Sequence, residues 1–133
     1  MKNLELSQFT GFYKIIFPRD HEPAQSRAII AGFLDRLAKA CQSAGAEVIG
    51  HIKILATNPD GGYLRGSVTS THISADVAAI DLGLHRSLDI HLIVLVYGAD
   101  RDGLESAIHN VWSNLMDAGL ITSVEQLPSP TIK

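Results

Sequence analysis

The 133-residue sequence predicts a two-layer α+β sandwich, a largely antiparallel sheet of 4-5 strands with two long helices on one face. Three observations carry that expectation. Leu88 to Tyr97 reads Leu-Asp-Ile-His-Leu-Ile-Val-Leu-Val-Tyr before Gly98, a strand that is apolar on both faces in its second half. Two stretches, Ala24 to Ala44 and Asp102 to Gly119, repeat apolar residues at three- and four-residue spacing, the period of an amphipathic helix. Between them, Asn58-Pro59-Asp60-Gly61 is a turn sequence flanked by alternating apolar and polar positions.

Phe9 to Phe17 is rich in aromatic and β-branched residues and stops at Pro18, which predicts the first strand. A polar loop, Pro18-Arg19-Asp20-His21-Glu22-Pro23, follows. The first helix buries Ile29, Ile30, Phe33, Leu34, Leu37 and Cys41 and ends at Gly45. In the hairpin, proline suits the second turn position and Gly61 a bulge with positive φ, so that Asn58 faces Gly62. Counting outward pairs Ile52 with Val68, Ile54 with Gly66 and Ala56 with Leu64 on one face. Leu55 with Arg65, Lys53 with Ser67 and His51 with Thr69 fall on the other, whereas a slip by one residue would set apolar against polar throughout. Ser74 to Leu82 has two readings, a short helix capped by Ser74 and ended by Gly83, or a loop.

After the apolar strand, Asp102 with Glu105 resembles a capping box, and Leu104, Ile108, Val111 and Leu115 make one stripe ending at Gly119. Trp112 and His109 flank that stripe. Leu120 to Leu127 adds a short edge strand before Pro128 and Pro130. With no internal repeat and no linker, residues 1-127 read as a single α+β domain and 128-133 as a C-terminal tail. A ferredoxin-like topology is one candidate for the strand order, although counting the Ser74 segment as its second helix would put the most apolar strand at an edge.

Composition bounds the function. At 46% hydrophobic and 19% charged, the chain is an ordinary globular sequence. A net charge of -3 and a pI near 6.0 give no electrostatic reason to favour nucleic acid or anionic lipid. Cys41 is the only cysteine, which forbids an intramolecular disulfide and a Cys-based zinc site. The first residues lack the basic start and apolar run of a secretory signal. The apolar run near Leu88 is interrupted by Asp89 and His91 and is too short for a membrane helix, which needs about 20 residues. The expectation is a cytoplasmic protein with no nucleic-acid or membrane partner, no cofactor and no metal.

In the two-layer arrangement Leu88, Ile90, Leu92, Val94 and Val96 face the helices. The opposite face carries Asp89, His91, Ile93, Leu95 and Tyr97, together with Ile49, His51, Lys53, Leu55, Tyr63, Arg65, Ser67 and Thr69 from the hairpin. An apolar patch mixed with cations and hydroxyls is the signature of an interaction surface, and identical patches commonly pair in homo-oligomers. The leading expectation is therefore a binding, regulatory or accessory module that oligomerises or binds a protein partner through this face. The alternative is a small enzyme with a site at a subunit interface, using His51, His91 and Asp89 for acid–base chemistry on a small anionic ligand.

Two loops are further candidates. Arg19 and His21 precede the first helix and Arg101 the second, where free backbone N–H groups attract anions. If the strands feeding them run parallel, the loops meet at one end of the sheet. Their plainer role is helix capping. The Ser67-to-His72 segment has hydroxyls beside a histidine but no nucleophile-elbow pattern, and Asp60-Gly61-Gly62 lacks the spacing of a phosphate loop.

Overall fold

The turn chemistry at Asn58 is realised in the computed structural model, which describes residues 4–129. The Gly61 N–H donates to the Asn58 carbonyl at 2.9 Å and the Asn58 N–H to the Gly62 carbonyl at 3.0 Å. Gly61 and Gly62 have φ of 116° and 84°, values that a side chain disfavours. This turn joins β2 (Val48–Thr57) to β3 (Tyr63–Val68). Ile52 pairs with Val68, Ile54 with Gly66, Ala56 with Leu64 and Leu55 with Arg65, the register the alternation implies. The expected His51–Thr69 pair is absent because β3 ends at Val68.

Around this hairpin stand β1 (Leu6–His21), α1 (Pro23–Ser43), β4 (Asp76–Ile80), β5 (His85–Tyr97), α2 (Arg101–Asp117) and β6 (Ser123–Leu127). They form one antiparallel sheet of six strands in the order β4-β3-β2-β5-β1-β6. The α+β class stands, but the sheet is wider than 4-5 strands and a ferredoxin-like topology is not an exact description. Without β3 and β4 the chain reads β-α-β-β-α-β, that fold's element order; the added pair extends the sheet beyond β2. The apolar strand β5 is consequently central, with β2 and β1 on its two sides.

Three local expectations are corrected. Ser74 to Leu82 is neither helix nor plain loop. Asp76–Ile80 pairs with the free edge of β3, since so short a segment as Ser74 to Leu82 nucleates a helix poorly while a ladder satisfies the same backbone groups at once. The polar stretch after Pro18 continues β1 to His21, past an irregularity between Ile16 and His21 that accommodates a residue without an N–H. Finally, α2 is capped by Asp100, whose carboxylate accepts from the Gly103 N–H at 2.7 Å, and Asp102 lies inside the first turn, where its charge still meets the dipole. Of the expected tail 128–133, residues 130–133 lie outside the described part.

The core lies between the sheet and its helices. Ile30, Phe33, Leu34, Leu37 and Cys41 of α1 and Leu104, Ile108, Val111 and Leu115 of α2 are buried against the inward rows of β1, β2, β3 and β5. Each such large side chain contributes about 1.5–3 kcal/mol relative to exposure. At Gly66 a Cβ would come within 2.8 Å of the Leu34 side chain, so the bare backbone there lets α1 lie close over β3. Among the described residues no helix is long and apolar enough to cross a membrane.

Candidate functional site

Among the described residues all helical packing falls on one side of the sheet, and the other side is open. Alternation assigns its residues from the register. Along β5 these are Ser87, Asp89, His91, Ile93, Leu95 and Tyr97; along β1 they are Leu6, Gln8, Thr10, Phe12, Lys14 and Ile16. β2 presents Val48, His51, Lys53, Leu55 and Thr57; β3 adds Tyr63, Arg65 and Ser67. Four of the large apolar side chains with high exposure, Leu6 at 52%, Val48 at 46%, Leu55 at 40% and Ile16 at 37%, lie on this face. Ile93, Leu95, Tyr97 and Phe12 are half-buried, Phe12 against the His91 ring.

Ile49 is the exception to the expected face. A bulge at Gly50, between the Ile49–Val96 and His51–Leu95 pairs, reverses the alternation and turns Ile49 toward the core. The bulge requires glycine, because a Cβ on residue 50 would stand 2.9 Å from the Leu95 carbonyl oxygen. Thr69 is exposed just beyond the end of β3.

Cross-strand rows fix which groups meet. One runs Arg65, Leu55, His91, Phe12, Leu127, and the next Tyr63, Thr57, Asp89, Lys14, Glu125. Lys14 therefore stands between two carboxylates. His91 stacks on Phe12 at 4.4 Å, and its Nε2 is shielded from solvent without a hydrogen-bond partner. A shallow hollow of about 490 Å³ is lined by Lys53, Leu55, Arg65, Ser67, His91 and Ile93. The two histidines proposed for acid–base work are not brought together. His51 faces Leu95 and His91 faces Leu55, which separates them along the strands by about 13 Å at ~3.3 Å per residue.

The helix-start loops do not share an end of the sheet either. β1 and β5 are antiparallel, so Arg19 and His21 lie at one end and Arg101 at the other. Arg101 is paired with Glu105 one turn on, at 3.2 Å. His21 is not in a loop: it is 6% exposed, with its ring stacked on Phe17 at 4.4 Å.

His21 leads to a cluster that the sequence reading did not single out. It pairs across the sheet with His85, whose ring meets Phe17 edge-on at 5.7 Å. The Gly83 carbonyl lies 2.8 Å from His85 Nδ1 and, being only an acceptor, fixes the proton there. Nε2 is then free to accept from the Ser26 hydroxyl, 2.5 Å away. A hydroxyl beside an oriented imidazole is the arrangement of an activated nucleophile. Here Ser26 is wholly buried, and the bond pins the first turns of α1 to the start of β5. Ser26 stands four residues before Ile30, at the head of the apolar stripe, which marks it as facing inward but does not name His85 as its partner.

With this geometry in hand, comparison with known proteins finds no match among family models, curated sequences or solved structures.

Proposed function

We propose that this protein is a small accessory or regulatory module that acts as a homo-oligomer, two copies stacking the open faces of their sheets. The observation that carries the proposal is the apolar ridge of Phe12, Leu55, Ile93, Leu95 and Tyr97 on the face opposite the helices, Leu55 being 40% exposed and the others half-buried. Burying Ile93 and Leu95 fully is worth up to about 1.5–3 kcal/mol each. Six strands about 4.8 Å apart and about 20 Å long give a footprint of order 600 Å². That is close to the ~800 Å² per partner of a stable interface.

A second copy fits the charges as well as the area. An isologous contact sets a surface against itself, so the surface must offer both signs. Lys14, Lys53 and Arg65 share this face with Asp76, Asp89 and Glu125. A two-fold axis along β5 lays β3 over β6 and β2 over β1, which brings Arg65 toward Glu125 and Leu127 of the other copy. A cytoplasmic setting accords with a lone, buried, unpaired thiol.

Analytical ultracentrifugation across low to high micromolar concentrations tests the proposal. The expected result is a concentration-dependent dimer that Leu95→Lys converts to monomer with unchanged circular dichroism. A wild-type chain that stays monomeric over the whole range overturns it.

A further inference from the structure

On the helix side of the sheet, away from the open face, α2 stands apart from β1 and β6 around a cavity of about 430 Å³. That lies within the ~300–1,000 Å³ of small-ligand pockets. Phe9, Ile108, Met116 and Val124 make its walls apolar. Tyr13 and Trp112, whose rings are 5.4 Å apart and tilted by 51°, share the lining with the polar side chains of Glu105, His109, Ser113 and Gln126.

Neither donor is used well by the protein. Trp112 is 2% exposed and its indole N–H has no hydrogen-bond partner, a state folded proteins seldom leave without a reason. The N–H lies close enough to the Tyr13 hydroxyl to hold its pKa back, but without the geometry of a bond. Burial nevertheless raises the Tyr13 pKa, with the Glu105 carboxylate acting in the same direction, so the phenol keeps its proton. Among the described residues that hydroxyl has no acceptor. The indole cannot turn away, because Phe33 stacks on it at 4.0 Å. Two neighbouring donors on the cavity lining, neither bonded to an acceptor, call for an oxygen from outside. Glu105 also lines the cavity and, although paired with Arg101, still raises the Tyr13 pKa, so its charge disfavours a carboxylate or phosphate beside the phenol.

We propose that this cavity binds a small uncharged molecule with an apolar or aromatic body and a carbonyl oxygen, which accepts from the Tyr13 hydroxyl and the Trp112 indole N–H. Trp112 is the chain's single tryptophan, so its indole signal in a proton–nitrogen NMR spectrum reports the site without assignment. The full chain is titrated with acetophenone and benzamide, and with toluene and benzoate as probes lacking a carbonyl acceptor or carrying a charge. Saturable movement of the indole signal is expected with the first two, at least about fivefold tighter than with toluene or benzoate, the factor that one of the two hydrogen bonds alone implies. Tyr13→Phe should weaken acetophenone by about fivefold, and Ser113→Phe, in the lining, should abolish the movement while the remaining signals keep their positions. The proposal is overturned if neither carbonyl probe moves the indole saturably, if toluene or benzoate binds as tightly, or if Tyr13→Phe binds unchanged. Should Tyr13→Phe fail to fold, the wild-type comparison of acetophenone with toluene decides.

Discussion

Cys41 sits on the inward stripe of α1, and burial pushes its thiol pKa up to about 11 from 9.0. Below pH 9.0 the thiol is protonated in both folded and unfolded chains, and the full stabilisation is present. Between that pH and about 11 the unfolded chain loses this proton while the folded one keeps it, so stability falls as pH rises. The whole span corresponds to about 2–3 kcal/mol. Tyr13, also raised, adds a loss of the same sign above 10.0, its ordinary value. Urea midpoints measured between roughly pH 8 and 10.5 should fall for the wild type and fall less for Cys41→Ala, whatever that substitution costs in packing. Parallel curves would refute the assignment. Cys41 was legible as a core residue from its place in the stripe. Ser26 was not, because a serine heading an apolar stripe does not disclose a partner 59 residues away.

At the scale of the element, the β2–β3 turn depends on two glycines for different reasons. Both adopt positive φ, but a Cβ on Gly61 meets nothing within 4 Å, whereas one on Gly62 would lie 2.3 Å from the Asp81 carbonyl oxygen. The turn is therefore packed against the β4–β5 connection, where Asp81 itself has φ of 53°. Gly61→Ala should cost about 1 kcal/mol of backbone strain, and Gly62→Ala at least about 2–3 kcal/mol, since backbone must move to admit it. Equal losses in urea denaturation would show that the close approach contributes nothing. The same region marks where elements were and were not legible. The hairpin register followed from Asn58, Pro59 and Gly61 together with the alternation. β4 did not, because Asp-Val-Ala-Ala-Ile carries little intrinsic preference and becomes a strand only when β3 offers an unpaired edge. Likewise the bulge at Gly50, set by the backbone of β5, moved Ile49 off a face that alternation alone had assigned correctly for Lys53, Leu55, Ile93 and Leu95.

At the scale of the whole molecule, the six-stranded order leaves β4 and β6 as free edges and one face uncovered among the described residues, which gives the chain two geometrically different ways to meet a copy of itself. Edge pairing would use main-chain hydrogen bonds, and face pairing would use side chains. The edges are poorly suited to it: β4 and β6 are each five residues long, with Asp76 on one and Glu125 on the other. The face offers far more apolar area, centred on β5. Amide exchange distinguishes the two routes because they protect different atoms. If faces pair, raising the concentration from monomer to dimer leaves the outward N–H groups of β4 and β6 exchanging at unchanged rates. Amides of the central strands β5 and β2, already bonded within the sheet, slow as subunit association opposes their opening. Edge pairing reverses the pattern, with slowing confined to β4 or β6. Concentration-dependent protection of an edge strand would thus relocate the interface even if sedimentation had found a dimer.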